Sequence, residues 1–481
     1  MHTVQVIGTE VLVVGAGFAG LGAAAHLRQR GRDVRVLERS AALGGTWRDN
    51  TYPGCECDIH PALYSYSSAP QAVWARGRAT QPEILAHLHA FAAGNGLDDR
   101  IAHGTTATGC RWDETTGRWH VRTDHGPDYA ARFLVLATGA LNVPQIPRLE
   151  GSFAGPAFHT ARWDHAVDVT GRHVAVIGTG ASAAQVIPYL ADTAGRVTLF
   201  QRSPAWVLPR RRQHLPLPHR ARRTVEYWRG EALVPALTGS DRRLARLEAR
   251  ALRHLHRQVP DPDLRRALTP RHRIGCKRIL FSDSYYPALA RDSSTVVTTP
   301  VAGLGPHGVR TVDGREHAAD VLVYATGFRV SAALAGLPVV GRDGRTLLER
   351  WGRDGASAHL GTTVAGFPNA FLLGGPNTGI GHTSLLFMIE SQLRYVAAAM
   401  DATDREGVTA LEVRAAAQRE FSDEMRRRST GTVWTTGCRS WYLDRDAVNR
   451  SLWPGSSWRY RLRTRRFDRE NYTAAGPARR P

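Results

Sequence analysis

Residues 10–20 read Glu-Val-Leu-Val-Val-Gly-Ala-Gly-Phe-Ala-Gly. A short apolar run suited to a buried strand leads straight into Gly15-x-Gly17-x-x-Gly20, and the stretch from 21 to 30 has helical spacing. A second strand-like run, residues 34–37, ends at Glu38. In this order each glycine has a separate job. Gly15 permits a tight turn, Gly17 lets the backbone approach a pyrophosphate, and Gly20 lets the helix pack close to the sheet. The helix N-terminus offers unpaired N–H groups and its positive dipole end to phosphates. Glu38 stands where an acid can hold two ribose hydroxyls.

The pattern returns further along. Residues 173–177 form a strand, Gly178-Thr-Gly180-Ala-Ser182-Ala183 the loop, 182–190 a helix and 197–200 the next strand. Alanine in place of the third glycine is an allowed variant. The counterpart of Glu38 is Gln201, followed by Arg202. A carboxylate would repel a ribose 2′-phosphate, whereas a neutral amide beside a guanidinium accepts one. The first site therefore suits a nucleotide with a free 2′-OH, and the second suits NADPH. Two nucleotide sites in one chain imply two cofactors that exchange electrons.

Two further strands, 133–137 and 321–325, run into Thr138-Gly139 and Thr326-Gly327, where a small residue lets the chain pass near a cofactor. The expected fold is α/β, with two nested Rossmann-like dinucleotide-binding domains. Residues 1–142 form the first part of one, and 328–470 its second part. Residues 143–327 form the other, entered through the proline-containing linker 142–147. Apolar residues at helical spacing over 222–232 and 240–257 predict a helical insertion at about 209–273. The basic stretch 471–481 reads as a disordered tail.

At 481 residues the chain exceeds a single core, and its 42% apolar and 22% charged content is that of a soluble enzyme. The sequence carries neither a membrane-spanning run nor a signal peptide, so a cytoplasmic location is expected. The formal charge is +20, and all but one of the 63 basic residues are arginine, Lys277 being the exception. The arginines are scattered, with short runs at 210–212 and 426–428 that read as solvated faces. That distribution excludes a nucleic-acid tract and leaves a general attraction for anions. The five cysteines are odd in number and scattered, so reduced thiols are expected. Cys55-Glu-Cys57 lacks the further ligands of a zinc site, so no metal is expected, and lacks the spacing of a disulfide-reductase pair.

Between the two glycine loops stands Phe153-Ala-Gly-Pro-Ala-Phe-His159-Thr-Ala-Arg-Trp163-Asp164. It resembles the F-x-G-x-x-x-H-x-x-x-W-[P/D] fingerprint of type I Baeyer–Villiger monooxygenases, of the class B flavoprotein monooxygenases. The resemblance extends through Gly44-Gly45-Thr46-Trp47, Tyr52-Pro-Gly-Cys-Glu-Cys-Asp58, Lys277-Arg278 with Tyr285-Tyr286, Gly366-Phe-Pro-Asn369, Gly375-Pro-Asn377 and Gly381-His382. It implies FAD at the first site, held by Gly15, Gly17, Gly20, Glu38, Gly45, Thr46, Trp47, Asp58, Thr138 and Asn377. It implies NADPH at the second, held by Gly178, Gly180, Ser182, Arg202, Lys277, Thr326 and Gly327.

The reaction so implied is reduction of the flavin by NADPH, formation of a C4a-peroxyflavin from O2, and insertion of one oxygen atom beside a ketone carbonyl to give an ester or lactone. Arg278 matches the family's catalytic arginine, Asp58 the acid that orients it, and Lys277 a lysine at the NADPH 2′-phosphate. His159 and Trp163 match residues that hold the linker coupling nucleotide movement to domain closure. The alternative is a related flavin monooxygenase that hydroxylates nitrogen or sulfur and needs no anion clamp at Arg278; the Trp163-Asp164 ending favours the ketone reading. Residues 381–400 read as a helix whose positive N-terminus would help an anionic reduced flavin if it pointed at the pyrimidine edge, the alternative being an ordinary core helix. The loop near 67–81 looks trimmed for the family. The aromatic end (Trp434, Trp441, Tyr442, Trp453, Trp458) either walls the pocket or packs.

Overall fold

The computed structural model describes residues 5–69, 79–210, 217–330, 334–436, 438 and 440–475. The first sheet is built on strand Val6–Val14, which pairs in parallel with Val34–Leu37 on one side and Asp128–Leu136 on the other. Val14 lies opposite Leu37 and Leu136, so the loops that leave these strands emerge at one edge. Val11, Leu12 and Val13 are fully buried, as expected of a parallel strand covered on both faces. Arg118–Thr123 and Ala107–Asp113 extend the sheet antiparallel, and Val339–Val340 adds to its rim. Ala370–Leu372 pairs in parallel with Asp128–Leu136, so the chain returns to this sheet after leaving it.

The second sheet runs Ser294–Val297, Arg196–Phe200, His173–Ile177, Val321–Tyr324 and Ala157–His159, all parallel. The fingerprint thus supplies the edge strand, with His159 opposite Tyr324. A small antiparallel sheet, Val301–Gly305, Gly308–Thr311 and Glu316–Ala318, sits beside it. Between the strands of the second sheet lie helices His219–Glu231, Val234–Leu237, Asp241–Gln258 and Pro262–Leu268, where the periodicity places an insertion.

Several expectations are corrected. The tail does not begin at 471: Tyr472–Ala475 is a strand paired antiparallel with Ala410–Val413, and residues 476–481 lie outside the described residues. Tyr472 is buried there, which gives the strand an apolar anchor that composition alone hides. The helix expected at 381–400 starts at Leu385 and ends at Arg405. Ser384 is its N-cap, with Oγ accepting from the Leu386 N–H at 3.2 Å, so serine rather than glycine sets the boundary. The thiols are not all reduced: Cys276 and Cys438 form a disulfide across 162 residues of sequence, with Cα atoms 6.2 Å apart. Such a pair cannot be read from spacing, because only the fold brings the two together.

Arg428 is not a solvated charge; it lies over the Trp453 ring at 4.9 Å and pairs with Glu424. Most of the loop read at 67–81, and Arg211 and Arg212, lie outside the described residues. Among the described residues, no helix is long and apolar enough to cross a membrane, and no group of three His, Cys, Asp or Glu side chains could hold a metal.

Candidate active site

The first glycine loop is shaped by contacts that exclude side chains. Gly15 has φ +106°, and a Cβ there would meet the Ala137 carbonyl oxygen at 2.6 Å. A Cβ on Gly20 would meet the Gly15 carbonyl oxygen at 1.7 Å, so the helix Phe18–Arg28 can start only with glycine at this point. The Gly45 backbone lies against Gly17, where a Cβ would come within 3.1 Å of the Gly17 Cα.

Glu38 is buried at the end of the second strand. Its Oε2 accepts from the Ala16 N–H at 2.9 Å, and its Oε1 accepts from Ser40 N and Arg48 Nη1 at 3.0 Å. Thr46 and Trp47 open the short helix Thr46–Asp49, and Trp47 Nε1 donates to Tyr64 OH at 2.8 Å. The Thr138 carbonyl accepts from Asn142 at 2.6 Å, pinning the start of the linker. Asn377 has a structural job: its Nδ2 donates to the carbonyls of Asn449 and Leu452, tying down the C-terminal segment.

At the second loop Gly178 has φ +116°, and a Cβ would stand 2.3 Å from the Ala325 carbonyl oxygen. Gly180 has open space where its Cβ would be. Ser182 lies in the first turn of helix Ala181–Thr193. A cavity of about 850 Å³ borders the end of the next strand, lined by Gln201, Arg202, Ser203, Arg271, Lys277 and Thr436 among others. Lys277 Nζ donates to Ser203 Oγ at 2.7 Å. Burial, and then the charge of Arg202, push its ammonium below the usual lysine pKa. The cavity holds surplus positive charge and favours an anion.

Gln201 is buried, with its amide nitrogen committed to the Ala267 carbonyl at 2.7 Å. Arg266, Arg271 and Arg273, which the sequence does not single out, reach this cavity from the end of the helical insertion. The linker and the second Ala-Thr-Gly run side by side: Gln145 N donates to the Gly327 carbonyl at 2.8 Å, and Thr326 Oγ1 donates to the Gln145 carbonyl.

The two halves meet around residues 52–58. Tyr52 OH donates to Gln185 Oε1 at 2.7 Å, and Gln185 Nε2 donates to the Glu56 carbonyl at 2.9 Å. A Cβ on Gly54 would stand 2.5 Å from the Gln185 carbonyl oxygen, and Glu56 pairs with Arg210. The same loop delivers Asp58 to Arg278. Arg278 Nε and Nη2 donate to the two Asp58 carboxylate oxygens at 2.8 Å each, and Nη1 donates to the Ile380 carbonyl at 3.2 Å. The Asp58 charge outweighs burial and raises the Arg278 pKa, so the cation is permanent. A guanidinium has five N–H donors; three are engaged here among the described residues.

Two residues beyond Ile380, His382 Nε2 lies 3.2 Å from Glu231 Oε1 in a buried pair. This pair docks the insertion helix His219–Glu231 beside the loop that supports Arg278, a link the sequence does not signal.

His159 is buried. Its Nδ1 accepts from the Ala161 N–H at 3.1 Å, capping the turn Thr160–Arg162, and its ring meets Phe328 edge-on at 5.6 Å. Burial lowers its pKa, which favours the neutral ring. Trp163 packs edge-on against Phe158 at 5.0 Å. The fingerprint therefore braces the chain next to Gly327, while Arg278 and Asp58 form the charged centre. Cys55 and Cys57 are buried and free, and burial pushes the Cys55 thiol up to about 11, so neither offers a thiolate at neutral pH.

Residues 9–215 match the family model described as pyridine nucleotide-disulphide oxidoreductase. Over the whole chain, a Baeyer-Villiger monooxygenase from Pseudomonas aeruginosa is 41% identical, covering 96% of this chain and 91% of its own. A Baeyer-Villiger monooxygenase from Streptomyces coelicolor is 43% identical, covering 98% and 93%. Among solved structures, an oxidised steroid monooxygenase bound to NADP superposes with a TM-score of 0.87 at 32% identity, covering 98% of this chain and 100% of its own.

Proposed function

The chain belongs to the Baeyer–Villiger monooxygenase family, and on that premise we propose that it is an FAD- and NADPH-dependent enzyme that inserts one oxygen atom of O2 beside the carbonyl of a small-molecule ketone, giving an ester or lactone. The observation that carries this reading is the bidentate Asp58–Arg278 pair. Residues 1–142 and 328–470 hold FAD, and 143–327 hold NADPH.

The loops fit these groups. The close Gly17–Gly45 contact leaves bare backbone facing a pyrophosphate, and Glu38 stands at the ribose position. Open space at Gly180 leaves room for the second pyrophosphate, and Arg202 with Lys277 offers paired positive charge to a 2′-phosphate.

Bound FAD, reduced by NADPH, supplies the activation of O2. The protein's share is electrostatic. Arg278 keeps its proton at any working pH, so it can sit beside an anionic oxygen nucleophile without protonating it. Its N–H groups beyond those given to Asp58 and Ile380 would be available to negative charge developing on a ketone oxygen. Aimed donors of this kind contribute about 3–4 kcal/mol to a barrier. Asp58 fixes the plane of the guanidinium, and Ile380 fixes its outer nitrogen. His159 and Trp163 brace the linker, so that closure around the nucleotide reaches Gly327.

The test supplies the purified protein with NADPH, isotopically labelled O2 and a panel of cyclic and linear ketones. One labelled oxygen in an ester or lactone product is expected, and Arg278→Met should lose that product while keeping NADPH-driven flavin reduction. Oxidation of amines or sulfides alone, equally fast in Arg278→Met, would overturn the reading.

A further inference from the structure

The Ile380 carbonyl that Arg278 uses belongs to a segment with almost no backbone support. Gly379 just before it is fixed: its N–H donates to the Ser451 carbonyl and its own carbonyl accepts from the Trp453 N–H, each at 2.8 Å. Ser384 just after it caps the helix Leu385–Arg405. Between these anchors, residues 380–383 donate no hydrogen bond to another backbone group among the described residues. Gly381 has no side chain, and Thr383 Oγ1 is buried without a partner among the described residues. Two polar ties remain there. Arg278 Nη1 donates to the Ile380 carbonyl at 3.2 Å, and His382 Nε2 lies 3.2 Å from Glu231 Oε1.

The Glu231 end of the second tie is itself held. Glu231 Oε1 accepts from the Ser457 N–H at 3.1 Å and from Ser457 Oγ, and Tyr227 OH lies 2.9 Å from Ser457 Oγ. Gly230 approaches so closely that a Cβ would stand 2.5 Å from the His382 carbonyl oxygen. The His382 and Glu231 side chains are 2% and 4% exposed, and Glu231 Oε2 has no partner among the described residues. A buried polar pair with an unpartnered oxygen is a costly way to hold two elements together, since apolar groups of the same shape can do so at least as well. What the pair adds is direction, because a hydrogen bond fixes an angle and an apolar contact does not.

We propose that Glu231 is a positioning residue for Arg278: through His382 it sets where the Ile380 carbonyl stands, and so where the guanidinium points. The helical insertion thereby takes a share in the reaction. The proposal rests on reading Arg278 as the cation that serves ketone oxygenation. Asp58 holds Nε and Nη2, and Nη1 takes its direction from Ile380. A slip of residues 380–383 would withdraw the acceptor from Nη1 and leave Asp58 to hold the guanidinium from one edge.

The experiment gives the FAD-loaded enzyme NADPH, O2 and a ketone that the wild type converts. It measures ester or lactone formed per NADPH consumed, hydrogen peroxide, anaerobic flavin reduction and melting temperature. Reducing equivalents that miss the ketone leave as peroxide (NADPH + H+ + O2 gives NADP+ + H2O2), so the product yield reports on aim and not on reduction. Glu231→Gln, His382→Gln and Gly230→Ala should each lower the yield roughly tenfold, short of the about hundredfold that an ångström of misplacement can cost. Peroxide should rise to match, and flavin reduction should stay within about twofold of wild type. In the Asp58→Asn background, Glu231→Gln should cost less than about twofold more, because both changes act through one guanidinium. The paired variant Glu231→Leu, His382→Leu should melt no lower than Glu231→Gln and still show the low yield. A wild-type yield in the single variants or in the paired variant would overturn the positioning role. So would a loss that follows melting temperature or flavin content across the set, or one that adds in full to that of Asp58→Asn. A wild-type enzyme that makes no ester or lactone from any ketone would instead overturn the oxygenation reading, and the positioning role with it.

Discussion

Replacing Asp58 with asparagine keeps the size of the side chain and removes its charge. In the native site both carboxylate oxygens accept from Arg278, each at 2.8 Å, and both side chains are about 30% exposed. Asparagine offers one acceptor oxygen, and its amide N–H groups would face the guanidinium donors, so one of the two bonds is lost and the other becomes neutral. Charge-assisted bonds are about twice as strong as neutral ones, and a bond to a charged group is worth about 1.5–3 kcal/mol. Partial exposure screens the pair, which puts the loss of Arg278 alignment near 2 kcal/mol, or about thirtyfold in the rate of ketone oxygenation. Flavin reduction by NADPH should stay within about twofold, because Asp58 acts through Arg278 and hydride transfer does not use the anion clamp. Anaerobic stopped-flow bleaching of the flavin isolates the first step, and chromatographic product yield at equal flavin content isolates the second. Unchanged product formation in Asp58→Asn would refute the reasoning, as would a loss that tracks flavin reduction.

Other consequences are equally direct. Lys277→Ala should raise the KM for NADPH about tenfold and leave that for NADH unchanged, since one charge-assisted phosphate contact is lost; steady-state kinetics with both nucleotides decide it. Gly178→Ala and Gly180→Ala differ by two positions and should fail in different ways. The first forces a Cβ to 2.3 Å from the Ala325 carbonyl at φ +116° and should lower the melting temperature or block folding. The second meets only open space and should fold normally, keep its flavin and bind NADP+ poorly. For Glu231, burial works to raise the pKa, but the bonds from His382 and Ser457 prevail and hold it below its ordinary 4.5. The native state therefore gains stability above that value and loses it as pH falls through the lower folded pKa. Melting temperatures of Glu231→Gln should lie below wild type at pH 7, and the gap should close in more acid buffer.

What the sequence makes legible is what depends on local spacing. The strands His173–Ile177 and Val34–Leu37 have the bounds that their apolar runs suggest, and both glycine loops turn where their glycines demand. The motif blocks carrying Asp58 and Arg278 are also visible, although only the fold shows that they form one bidentate pair. What stays hidden depends on pairs far apart. Cys276 and Cys438 are one case, Gln185 reaching Tyr52 another, and Glu231 meeting His382 a third. None of these residues has a neighbour in sequence that hints at its partner. The strand Tyr472–Ala475 is missed for a related reason: a basic, glycine- and proline-bearing end looks solvated until Tyr472 finds the hydroxyls of Tyr395 and Thr363.

The contact at Gly54 also bears on how the loop carrying Asp58 is held. With no room for even a methyl group between Gly54 and the Gln185 carbonyl, and with Gln185 bonded to both Tyr52 and Glu56, the loop is seated directly on the helix Ala181–Thr193. A side chain placed at Gly54 would therefore push the loop that carries Asp58 off that helix, disturbing the charged centre without touching either of its members.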